Sequence, residues 1–199
     1  MAQLGLPNIN IAFKELGTSA IERGENGVIA LVLKKEGATT PEIVNIFSAA
    51  DIPSGIDAKH EELINYCLVG STKSVKKVIV VFAEDTKVGV NALNNTEYNY
   101  LVTPQATSGE YSQIVSIVGT LRDNGKMVKY VVANTNSDKP YVINFTTDGI
   151  KVGGKSVTTE EFTCRIAGII ASVPLSMAVT YQPLADVEEV QVYTKEELD

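Results

Sequence analysis

Apolar residues in this chain fall into two kinds of run: short unbroken ones rich in branched side chains, and longer ones spaced at three and four. Val28 to Leu33 (VIALVL) and Val78 to Phe82 (VIVVF) are of the first kind, the pattern of strands covered on both faces. Tyr98 to Thr103, closed by Pro104, and Met127 to Ala133 (MVKYVVA) supply two more strands. Between them lie helical signals. Thr40-Pro41 reads as an N-cap with proline at the first helical position, which predicts a short helix carrying Ile43, Val44 and Phe47. Asp57 caps a second helix whose apolar face holds Leu63, Ile64, Cys67 and Leu68, ending at Gly70. A weaker helix covers Thr86 to Asn95. Ser108 caps the clearest one, with Tyr111, Ile114, Val115, Val118 and Leu121 on one stripe and Asn124-Gly125 at its end.

This alternation predicts right-handed βαβ units and a mostly parallel sheet flanked by helices, an α/β fold. After Asn134 the pattern changes. Tyr141 to Thr146 and Gly149 to Val152 flank Asp148-Gly149, a two-residue hairpin signal, and Gly153-Gly154 makes another tight turn. Together they predict a small antiparallel meander. Thr158 and Glu161 form a capping box for a last helix with Phe162, Ile166, Ile169 and Ile170 on its stripe, and Pro174 lies just beyond. Met177 to Tyr181 and Val187 to Tyr193 read as strands. At the other end, Ile9, Ile11 and Phe13 alternate with Asn10, Ala12 and Lys14, and the polar stretch Ser19 to Gly27 separates them from the first core strand. A terminal strand with no hairpin partner needs a sheet edge, in its own body or in another molecule. The expected organisation is an extended N-terminal arm over 1–24, an α/β body over 25–176 and a strand-like start of a C-terminal region over 177–199.

Composition narrows the function more than the fold. No apolar run approaches the roughly 20 residues that span a bilayer, and Met1-Ala2-Gln3-Leu4 has neither a basic region nor an apolar one, so synthesis in the cytoplasm is expected. The net charge is −7, and the densest basic group, Lys73, Lys76 and Lys77, reads as a solvated turn before a strand. Without a basic stripe to neutralise phosphates, nucleic acid is not an expected partner. Cys67 and Cys164 each sit in an apolar helical pattern and read as buried free thiols. The single histidine, His60, lies in a helix first turn beside Glu61 and Glu62 and reads as a solvated surface residue; one imidazole without a Cys-x-x-Cys pair does not make a metal site.

An α/β sheet invites a search for catalysis. The connection Lys34 to Thr39 has one glycine and no dinucleotide or Walker pattern, and no G-x-S-x-G elbow occurs. Cys67 and His60 are two helical turns apart, about 10 Å along the axis, beyond hydrogen-bond reach. The pairs Glu61/Glu62, Glu160/Glu161 and Glu188/Glu189 are sequence neighbours on charged surfaces. A soluble α/β enzyme or nucleotide-binding domain is the alternative reading, and its polar candidates at strand C-terminal ends are Lys34, Glu84, Asp85, Thr103 and Asn134. No catalytic residue, cofactor, metal or small-molecule ligand is expected.

The opening GLPNINIAFKE, the strand VIALVLK, EYNYLVTP at Glu97 to Pro104, and the block from Ile143 to Val190 resemble the tail sheath proteins of contractile phages and phage-like particles, including R-type bacteriocins. In that block a short meander leads to a helix with an A-G-x-x-A-x-x-P-like end (Ala167, Gly168, Ala171, Pro174) and a strand ending Thr180-Tyr181. The resemblance implies a structural subunit that polymerises in helical rings around a tail tube and contracts to drive it through a target cell envelope. It implies strand exchange with neighbouring subunits, for which Ile9, Ile11 and Phe13 are the matching inter-subunit strand. Family members continue past the equivalent of Leu184 to Val187 into a region that meets the tube and baseplate, so the chain is expected to be an N-terminal portion. Assembly in the bacterial cytoplasm, then release on lysis as part of a particle, is the expected location.

Overall fold

In the computed structural model, which describes residues 27–71, 73–174 and 176–192, the two unbroken apolar runs become the central strands. β1 (Val28–Lys34) and β3 (Lys77–Ala83) lie parallel, Val28 opposite Lys77 and Lys34 opposite Ala83. β4 (Tyr100–Val102), β5 (Lys129–Ala133) and β6 (Val142–Phe145) continue the parallel sheet beyond β1. β2 (Glu42–Ile46) runs antiparallel along β3, giving the order β2-β3-β1-β4-β5-β6.

Successive side chains of a strand point to opposite faces, so each unbroken run feeds two cores. Ile29, Leu31, Leu33, Val78, Val80 and Phe82 pack with Leu63, Ile64 and Cys67 of helix α1 (Ala58–Leu68) and with Cys164, Ala167 and Ala171 of helix α4 (Thr159–Ser172). On the other face Ala30, Val32, Ile79 and Val81 pack with Val90 of α2 (Thr86–Ala92) and with Ile114, Val118 and Leu121 of α3 (Ser108–Asp123). A second, three-stranded antiparallel sheet has the order β8-β7-β9, from β7 (Ile150–Val152), β8 (Lys155–Val157) and β9 (Val187–Glu189). Ile150, Val157 and Phe162 form a small third core beneath it. The chain enters the body close to where α4 ends, because the Gly27 N–H donates to the Ala171 carbonyl at 2.6 Å.

The fold class read from the sequence is the one observed, and the Asp57 cap, the α3 stripe and the Thr158/Glu161 capping box of α4 are all present, while the cap of α3 is Thr107, in a box with Glu110, and not Ser108. Three segments differ. The stretch expected as a helix after Thr40-Pro41 is strand β2: Ile46 is buried and Val44 partly so, while Ile43 and Phe47 point out, a period of two. Three branched residues and an available edge on β3 outweigh the local helix signal, and Pro41 sits where an edge strand loses no ladder bond. The segment after Asn134 also divides otherwise than expected. Val142–Phe145 joins the main sheet beside β5, so no hairpin forms at Asp148-Gly149, whereas the tight turn expected at Gly153-Gly154 is present, with φ of 56° and 73°. Residues 177–181 form bends and a turn instead of a strand, with Tyr181 at φ 63°. The arm residues Ile9, Ile11 and Phe13 lie outside the described residues.

Candidate functional site

In an open parallel sheet, ligands gather at the carboxyl ends of strands where the strand order reverses, here around β1 with β3 on one side and β4 on the other. A hollow of about 450 Å³ lies there, lined by Lys34, Lys35, Asp57, His60, Phe82 and Gln105 among others. Its centre is Gln105. The side-chain carbonyl accepts the Lys34 N–H at 2.7 Å, which leaves the NH₂ facing His60 Nε2 at 3.4 Å. With the amide oxygen committed, the amide donates and the ring nitrogen accepts.

His60 is the clearest correction to the sequence reading. It is 8% exposed, its ring 5.8 Å from that of Phe82, and not a solvated surface group. The signal was present: residues 60, 63, 64 and 67 share one helical stripe, so His60 belongs to the face of Leu63, Ile64 and Cys67.

The charges around the hollow are occupied by one another. Lys34 Nζ lies 3.0 Å from Glu110 Oε2, and Lys35 Nζ lies 3.4 Å from Glu42 Oε2 and 5.3 Å above the Phe82 ring. Asp57 accepts from the Lys59 N–H at 2.9 Å. Glu110 stands at the N-terminus of α3, where it accepts the Thr107 N–H at 2.7 Å and the Thr107 hydroxyl at 2.8 Å. A carboxylate of the protein thus fills the place at which a phosphate docks in a nucleotide-binding sheet. Partial burial pushes the Glu110 carboxyl up, but the Thr107 donors and the Lys34 ammonium outweigh it and hold the group at about 2.

That depression fixes a sign. A carboxyl lowered from its ordinary 4.5 to about 2 adds stability above pH 4.5, and the contribution is lost as the pH falls from there towards 2. In urea titrations Glu110→Gln is therefore expected to be less stable than wild type at pH 7, with the gap closing below pH 4. A gap of constant size across that range would refute the assignment.

The remaining strand-end candidates do not converge. Glu84 is exposed, and Asp85 caps α2 through the Lys87 and Val88 N–H groups at 2.7 and 3.3 Å. Thr103 Oγ1 and the Tyr130 hydroxyl share a buried hydrogen bond of 2.7 Å, and Asn134 turns the chain at φ 49° after β5. Cys67 and Cys164 are both fully buried free thiols between α1 and α4; burial, then the neighbouring Cys67 thiol, pushes the Cys164 thiol well up. Among the described residues no three His, Cys, Asp or Glu side chains are grouped to hold a metal ion, and no helix is long and apolar enough to cross a membrane. What the arrangement does is tie the ends of β1 and β4 to the first turns of α1 and α3. It is a structural brace.

Exposed apolar side chains are the other functional signal. Ile43, within the edge strand β2, and Phe47 (60% exposed), just after it, point outward, and Met177, Val179, Tyr181, Val190 and Val192 are exposed along the last described segment.

No family model matches the chain. It is 38% identical over 204 residues to the tail sheath protein of Clostridium phage phiCD119, an alignment that takes in 98% of this chain and 56% of that protein. The chain thus spans little more than half the length of this curated relative. Among solved structures it superposes on a sheath tail protein from Listeria innocua with a TM-score of 0.73, at 14% identity, over 94% of this chain and 66% of that one. It also superposes on a sheath tail protein from Desulfitobacterium hafniense with a TM-score of 0.71, at 14% identity, over 100% and 68%. A chain of the anti-feeding prophage baseplate gives 0.60 at 16% identity, over 86% and 55%. These three likenesses show the fold.

Proposed function

This chain is a homologue of tail sheath proteins, and from that premise we propose that it serves as a structural subunit of a contractile tail sheath. Subunits polymerise around a tail tube and contract together to drive the tube through a target envelope, and they act without catalysis. The near-full-length similarity to the phage protein is the observation that carries this reading. The paired charges at the strand ends support it, since they brace the body where an enzyme of this fold would present free groups.

In this reading the partners are neighbouring copies, with the tube and baseplate met through the further region that the phage relative has past the length matched by this chain. The link between copies is the strand Ile9 to Phe13, added to a neighbour's sheet edge. Burying Ile9, Ile11 and Phe13 contributes roughly 1.5–3 kcal/mol each. Association costs on the order of 4–15 kcal/mol. One arm therefore about breaks even, and a stable lattice needs many acting at once. Assembly takes place in the bacterial cytoplasm and the product leaves in particle tails on lysis.

Immunogold microscopy of an induced lysate, with antibody raised to this chain, tests both parts. Gold is expected along the outside of contractile tails. In a strain carrying Ile11→Asp in the whole protein, naked tubes and soluble subunit are expected in place of sheathed tails. Tails that stay unlabelled after denaturation controls would sink the sheath reading. Normal sheaths in the Ile11→Asp strain would sink the arm alone.

A further inference from the structure

After α4 the chain does not leave the body but returns across it as a strap, residues 176–192, ending in β9 on the small sheet. The strap buries little of itself. Leu184 and Val187 pack on the Ile150–Phe162 core, whereas Met177 is 54% and Tyr181 fully exposed. Its most deeply buried polar attachment is ionic. Arg165, inside α4, is 2% exposed, and among the described residues it is the one Lys, Arg, Asp or Glu side chain in the buried set. Its Nε and one terminal nitrogen donate to the two oxygens of Asp186 at 2.7 and 2.9 Å, and the other terminal nitrogen donates to the Val69 carbonyl at 2.7 Å. One guanidinium thus joins α4, the end of α1 and the strap in its fixed fork geometry. The bond to Arg165 holds the Asp186 carboxyl below its ordinary range, against the opposing effect of burial.

The other attachments are the antiparallel ladder of β9 on β7, with Val187 opposite Val152 and Glu189 opposite Lys151, and a set of single contacts. Ser71 donates to the Gln182 side-chain carbonyl at 2.7 Å, the Gly154 N–H to Glu188 at 2.9 Å and the Gln191 N–H to Asp148 at 2.9 Å, while Lys151 pairs with Glu189 at 2.6 Å. Exposed contacts of this kind hold weakly one by one.

We infer that Arg165 and Asp186 form a latch: the strap opens and closes on the α/β body as one unit, and this pair, buried at Arg165 and part-exposed at Asp186, sets the closed state. Opening uncovers the Phe162 face and the outer edge of β7 together, while the six-stranded sheet stays intact. The inference stands on the geometry of this chain and is independent of the sheath reading.

Hydrogen exchange on the full 199-residue chain tests it. In wild type the amides bonded between strap and body, Gln191 to Asp148 and Gly154 to Glu188, are expected to exchange together and faster than those of β1 and β3, through an opening smaller than global unfolding. Asp186→Asn, which keeps the shape and leaves Arg165 in place, is expected to speed the strap amides about a hundredfold with β1 and β3 unchanged. Leu184→Ser, which removes an apolar contact of the strap, is expected to speed them less. Strap amides that exchange only with global unfolding in wild type would overturn the inference, and that measurement needs no variant. So would an Asp186→Asn protein whose strap is no faster than wild type, or whose β1 and β3 amides accelerate equally.

Discussion

Gly168→Ala lowers the stability of this protein by about 2 kcal/mol, although alanine in a helix interior is ordinarily worth about 1 kcal/mol more than glycine. The inversion follows from the crossing of α1 and α4. A Cβ at Gly168 would stand 2.6 Å from the Val69 carbonyl oxygen and 2.9 Å from those of Tyr66 and Cys67. These are backbone atoms at the end of α1, and they cannot swing aside as a side chain can. Overpacking of this kind costs about 1–3 kcal/mol, sometimes more, and here it takes the upper part of that range. For a chain of this size the net loss corresponds to a fall in Tm of about 4–8 °C. Gly168→Val adds two methyl groups to the same contact and falls further. A Gly168→Ala protein that melts above wild type would mean that the helices are not in contact at this point.

Phe162→Ala is expected to have a larger effect, about 3–5 kcal/mol by analogy with other fully buried aromatic truncations. Phe162 is 2% exposed and is shared between α4 and the small sheet, with its ring 5.7 Å from that of Phe145 and its cluster completed by Ile150 and Val157. The third core has only three buried members, so its remaining side chains cannot close over the space left. The loss is expected as a lower urea midpoint, with the hairpin β7–β8 giving way before the large sheet. A loss below 1 kcal/mol would show that the small sheet is held by its backbone ladder and not by this ring.

The parts of this fold legible in the sequence are those where local pattern and tertiary role agree. VIALVL and VIVVF read as doubly covered strands because both faces of β1 and β3 do meet helices. Thr158 and Glu161 announce α4 because a capping box is a local device. β2 was not legible, since the edge of β3 that receives it lies far along the chain, and Thr40-Pro41 gives the opposite local signal. β6 is illegible for a different reason: its partner β5 is parallel, and the connection over 134–141 is too short to carry the helix that announces such a pair, while Asp148-Gly149 offers a local hairpin signal. At the strand ends, topology pointed to Lys34. Its partner Glu110 is 76 residues away, and the amide bridge from Gln105 to His60 spans 45, so neither pairing has a sequence signature. Arg165 was missed outright. Its position on the stripe of Phe162, Ile166 and Ile169 is the same signal that His60 carries, but nothing local names Asp186 and the Val69 carbonyl as the partners that make its burial possible.

The hydrogen bond between Gly27 and Ala171 gives the α/β body a single doorway. A pull along the chain, from residues before Gly27 to those after Gln191, first loads the strap, through the Arg165–Asp186 pair and the β9 ladder on β7. Once the strap has peeled away, the two ends of the body meet at Gly27 and Ala171. From there the load falls on the start of β1 and the last turn of α4, and the small sheet yields before the large one feels the cord.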